Sequence, residues 1–135
     1  MTAKRLLMGA VTGLVLGAVL LGAGGRLVMR GLALLDGRAV AFSMGGSAEV
    51  LLYGAIVGAI TGAAYSLVPG PFRRRWIAAG MLLGAASYSG TLLTLPPHIA
   101  LTAAPFAEHM VAVHAGFGGC FLVFGLALAR TARRD

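Results

Sequence analysis

Few side chains in this sequence can do chemistry. Arg26, Arg30, Glu49, Tyr53, Ser89, Thr91, Glu108, His109 and His114 are ionisable or hydrogen-bonding groups that fall inside or beside long apolar runs. Arg26 and Arg30 are four residues apart, so on a helix they share a face. Two guanidinium groups so placed suit an anion or a lipid headgroup, with Glu49 closing the site. The competing reading is that both snorkel to the interface and that Glu49 is a structural ion-pair partner. The second reading is preferred, because both arginines fall near the water-facing end of their run. His114 is a candidate proton carrier or ligand. The preferred alternative is a neutral imidazole hydrogen-bonded to Ser89, Thr91 or a backbone carbonyl, since nothing else ionisable shares its level.

Metal and haem chemistry need ligands that converge. His98, Glu108, His109 and His114 lie toward the same end. His109 and His114 are five apart, which turns them about 140° from each other on an unbroken helix. No metal or cofactor is therefore expected, and haem binding is only a third functional reading. The chain has no G-x-S-x-G, H-E-x-x-H, C-x-x-C or phosphate-binding glycine loop. Its four acids all avoid the middle of the apolar runs, which argues against carboxylate catalysis. The chain is read as no enzyme. Cys120 is expected to be a packing residue, and Trp76, beside Arg73, Arg74 and Arg75, an interfacial anchor.

The elements that must position these groups follow from composition. The 135 residues are 59% hydrophobic and 11% charged. A soluble domain of this length could not hide so much apolar surface, and disorder requires low hydrophobicity. A single cysteine excludes an internal disulfide framework. No Asp, Glu, Lys or Arg occurs over 6–25, 50–72, 76–107 or 110–129. Crossing a bilayer as a helix takes about 20 apolar residues. The expected fold is all-α: a single polytopic four-helix transmembrane bundle over 1–135, with spans near 5–35, 47–69, 75–95 and 105–130. Ser47 suits an N-cap, Asp36-Gly37 and Pro69-Gly70-Pro71 are stops, Pro96-Pro97 ends the third span, and Pro105 fits the first turn of the fourth.

Charge gives the orientation. Four spans place both termini and the middle loop on one side. That side carries Lys4, Arg5, Arg73, Arg74, Arg75, Arg130, Arg133 and Arg134 against Asp135, which is the whole net charge of +7. The other side carries Arg26, Arg30 and Arg38 against Asp36, Glu49 and Glu108. By the positive-inside rule the basic face is cytoplasmic, in the cytoplasmic membrane. It should attract anionic lipid headgroups. Nucleic acid is not expected as a partner, because the arginines flank spans and no base-stacking pattern accompanies them. Residues 1–25 also resemble a signal peptide, but the uncharged stretch exceeds the usual 7–15 residues and no clear cleavage site follows, so a retained span is expected.

Inside lipid, helices associate through close backbone approach, which small residues permit. Gly9, Gly13 and Gly17 repeat at four-residue spacing, as do Gly54, Gly58 and Gly62, and Gly80 with Gly84. The fourth span offers Ala112-Gly116 and Ala115-Gly119. Each helix thus carries a smooth face for packing within the chain, with a second copy, or with a larger membrane partner. The glycine triads of the first two spans align. Duplication into an inverted repeat would explain that, but convergence in a Gly- and Ala-rich chain is the simpler cause.

The stretch Gly25-Arg26-Leu27-Val28-Met29-Arg30, with a following Leu/Ala run and Phe42-Ser43-Met44-Gly45-Gly46-Ser47, resembles uncharacterised bacterial four-span membrane proteins over about a fifth of the chain. That resemblance implies the four-span fold and brings no activity. Small multidrug exporters carry a mid-span glutamate that the first span lacks. Fluoride channels need a second-span Asn and a Phe-rich third-span break, both missing here. The leading expectation is a non-catalytic structural or accessory membrane subunit. The alternative is an oligomeric carrier or channel for a small solute or anion.

Overall fold

The computed structural model describes residues 3–37, 44–94 and 109–132, and all regular structure among them is helical. Helix α1 runs Ala3–Leu35 and α2 Met44–Ser66. A short α3 covers Gly70–Arg74, followed by α4, Trp76–Thr94, and α5, Met110–Thr131. The four longer helices are long and apolar enough to cross a membrane. The molecule is an all-α four-helix bundle whose neighbouring helices run antiparallel. Large apolar side chains such as Leu7, Val11, Val19, Ile56, Ile60, Leu82 and Val123 stay exposed along its sides. In lipid that exterior is favourable, and the helices satisfy their own backbone groups. The chain is accordingly an integral, multi-pass membrane protein.

Several boundaries depart from the sequence expectation. Helix α1 ends where expected: Asp36 caps it, and Gly37 takes a left-handed φ of +63° that favours glycine. Helix α2 begins at Met44, so Ser47 lies inside its first turns rather than at its cap. It ends at Ser66, because Pro69 cannot continue the ladder. The last carbonyls instead take tighter bonds, Leu67 N–H to Ala64 O and Val68 N–H to Tyr65 O, each 3.0 Å. Helix α5 begins at Met110 with His109 as N-cap. Arg38, Pro96, Pro97, His98, Pro105 and Glu108 lie outside the described residues.

The bundle is two helical hairpins. In the first, α1 and α2 meet backbone to backbone. A Cβ at Gly9 would stand 2.6 Å from the Gly62 carbonyl oxygen, and one at Gly58 2.7 Å from the Gly17 Cα. Gly13 and Gly54 are as tightly covered. In the second, Gly80 of α4 faces Gly125 of α5, and Gly84 faces Phe121 and Leu122. The expected fourth-span pair does not make this seam. Gly116 abuts Val28 of α1, and nothing lies within 4 Å of a Cβ at Gly119. The residue that serves α4 is Gly125, half a helix nearer the chain end.

A second departure sits inside α1. Residues Gly17–Ala23 form a π-helical turn. Four-residue spacing from Gly17 would bring Leu21 to the α2 face. The wider turn absorbs one extra residue and brings Gly22 there instead, where a Cβ would stand 2.8 Å from the Leu51 Cα. Leu21 is thereby turned into the core with Tyr65, Phe121, Phe124 and Leu128. Beyond the π turn α1 leans on α5: Gly24 faces Cys120, Val28 faces Gly116, and Leu32 packs in a cluster with Val113.

Candidate functional site

Polar side chains at membrane depth meet across the helix seams. Thr61 of α2 and Ser87 of α4 lie 3.2 Å apart, hydroxyl to hydroxyl, joining the two hairpins. Ser87 is twelve residues along from Arg75, about 18 Å from the basic end. One turn outward, Tyr88 Oη and His114 Nδ1 lie 2.6 Å apart between α4 and α5. Their rings meet edge-on at 6.1 Å, and Tyr88 also stacks at a tilt on Phe121. The phenol donates to Nδ1 when the ring proton sits on Nε2, and accepts from Nδ1 in the other tautomer. Either way each partner satisfies the other in an apolar setting of Val28, Leu92, Val113 and Phe117.

Further out, Arg26 Nη2 donates to Ser47 Oγ at 2.9 Å, tying α1 to the start of α2. This arginine follows the π turn by three residues, so its direction is set by that turn. At the far end His109 Nε2 and Asp36 Oδ1 form a 2.6 Å ion pair, with Asp36 the more buried of the two. It joins the last residue of α1 to the first of α5. A side chain capping the C-terminus of one helix thus holds the N-cap of another.

Of the nine residues singled out by type and spacing, the structure brings only some together. Arg30, Glu49, Tyr53 and Ser89 are exposed on the outer faces of their helices, and Thr91 is half-buried. His114 does not meet Ser89 or Thr91; its partner is Tyr88. One residue is 100° of helix, and that phase puts Tyr88 in the seam and Ser89 outside it. Arg26 reaches Ser47, and Glu49 points outward. His109 is engaged by Asp36, a residue that reads in the sequence only as a helix stop. The Thr61–Ser87 contact has no sequence signal beyond two hydroxyls in apolar runs. Among the described residues no group of three His, Cys, Asp or Glu could hold a metal ion.

The two ends differ electrically. Lys4, Arg5, Arg74, Arg75 and Arg130 are exposed at one end, while the described acids, Asp36 and Glu49, lie toward the other with Arg26 and Arg30. A cleft of about 50 Å³ opens at the basic end between α1, α2 and α5. No protein-family model, no curated protein and no solved structure matches the chain.

Proposed function

We propose that this chain is a non-catalytic membrane subunit, a compact scaffold in the cytoplasmic membrane with both termini on its basic, cytoplasmic side. Its exterior serves lipid and a protein neighbour, either a second copy or a larger membrane partner. The observation that carries this reading is the pairing of polar groups. Thr61 with Ser87, Tyr88 with His114, Arg26 with Ser47 and Asp36 with His109 each span a seam between helices. Polar pairs of this kind hold transmembrane helices in register, each contributing about 0.6–2 kcal/mol. A carrier would need polar side chains along a route through the basic half. The candidates there are Thr12, Thr61 and Ser66; Thr61 is bonded to Ser87, and Ser66 donates to the Ala63 carbonyl at 2.6 Å.

The test is purification of a tagged chain in mild detergent after cross-linking in intact cells. The expected result is a stoichiometric membrane partner or a defined self-associated species. Reconstituted protein should conduct no small anion or solute above empty-liposome background. Flux that disappears in His114→Ala or Arg26→Ala would replace the scaffold reading with a transport one.

A further inference from the structure

The cleft at the basic end owes its existence to the course of α1. Beyond the π turn α1 lies on α5, through Gly24, Val28 and Leu32. Before it, the glycine face turns to α2, and α1 touches α5 only lightly. The space left between the diverging helices is lined by Arg5, Thr12, Tyr65, Ser66 and Thr131, with Met8 and Leu128 as apolar wall. Two of the hydroxyls already give their protons to their own helices, Ser66 to Ala63 and Thr131 to Ala127. Arg5 and Thr12 remain the donors that the argument uses.

We infer that this cleft binds one phosphate group presented at the membrane interface. Size, charge and depth agree on that ligand. A space of about 50 Å³ holds one phosphate-sized group, or one to two waters at roughly 30 Å³ each. Every described charge at this end is positive, so an anion is favoured there. A guanidinium on the rim matches phosphate geometry. Arg5 and Thr12 are seven residues apart, so the cleft descends about 10 Å along α1, from headgroup level toward the acyl chains. A lipid phosphodiester reaches it from the bilayer, and inorganic phosphate reaches it from water.

The test is native mass spectrometry of the full-length protein, released from nanodiscs of phosphatidylcholine with equimolar phosphatidylglycerol, with and without 10-fold excess inorganic phosphate. Wild type should retain phosphatidylglycerol in preference to phosphatidylcholine. Arg5→Gln should lower that retention at least tenfold. Arg130→Gln removes the same charge at the same end from a residue that does not line the cleft, and should change it less than threefold. Thr12→Val keeps volume and charge while removing the hydroxyl, and should lower retention at least threefold. Displacement of the lipid by inorganic phosphate, with the ion itself retained, assigns the free anion as the ligand of the same cleft. Equal losses in Arg5→Gln and Arg130→Gln would reduce the effect to diffuse surface charge and overturn the inference. Retention unchanged in Arg5→Gln, or no anionic preference in wild type, would overturn it as well.

Discussion

Replacing Gly58 by alanine adds one methyl group at the tightest point of the first hairpin. The added Cβ would fall on the Gly13 carbonyl and stand 2.7 Å from the Gly17 Cα, where an ordinary contact is 3.4–4 Å. The obstacles are backbone atoms of α1, which cannot rotate away. The helices must therefore part by about 1 Å over the whole glycine run, loosening the contacts at Gly9, Gly13, Gly17, Gly54 and Gly62 together. Overpacking a fitted interface costs about 1–3 kcal/mol, and lost Cα–H···O contacts along the seam add perhaps half as much again at roughly 0.5–1 kcal/mol each. The expected destabilisation is about 2–4 kcal/mol. Gly119→Ala is the matched control, since its methyl meets nothing within 4 Å and alanine is the better helix former by about 0.5–1 kcal/mol. The two variants should thus differ by about 3 kcal/mol, or two orders of magnitude in the unfolding equilibrium. Reversible unfolding in mixed micelles, titrated with SDS and followed by Trp76 fluorescence, measures both. Equal stabilities for Gly58→Ala and Gly119→Ala would refute the backbone-contact account of this seam.

In the same assay Tyr88→Phe should cost about 1–2 kcal/mol, because it keeps the ring packing on Phe121 and strands His114. A double-mutant cycle of Thr61→Val and Ser87→Ala should give a coupling of about 0.6 kcal/mol, the usual value for one interhelical hydrogen bond in lipid; zero coupling would remove this link between the hairpins. Deleting Val19 should convert the π turn to a regular α turn with Gly22 still facing Leu51, and leave stability within about 1 kcal/mol of wild type. Deleting Leu14 from the regular segment should rotate the faces on either side by 100° and abolish folding. Cysteine replacements at Arg74 should react with membrane-impermeant maleimide only after cells are opened, and labelling in intact cells would invert the proposed orientation.

The spans are legible in the sequence because charge-free runs, proline stops and glycine spacing are local signals. Pro69 and Gly37 end their helices by their own covalent geometry, so no partner need be known. The polar contacts are different. Asp36 and His109 can be placed at one level by counting residues, but their meeting depends on α1 lying beside α5, which no local pattern states. Tyr88 and Ser89 are adjacent in sequence and differ only in helical phase, and an error of one residue exchanges seam for exterior. The π turn shows the same limit. Spacing from Gly9 to Gly17 predicts a face that should next show Leu21, and only the backbone reveals that Gly22 takes the place. Gly125 and Gly119 are equally small, and the neighbour, not the residue, decides which one packs.

The division into two hairpins bears on biogenesis. Each backbone seam joins helices consecutive in the chain, so each pair can zip together as soon as its second member leaves the ribosome and enters the bilayer. The clasp between pairs, made by side chains and by the Leu21–Tyr65–Phe124 cluster, is needed only afterwards. The chain should thus tolerate being made as two separate polypeptides divided near Pro69, with the halves finding each other in the membrane. Gene fission at that point would be a neutral event rather than a lethal one.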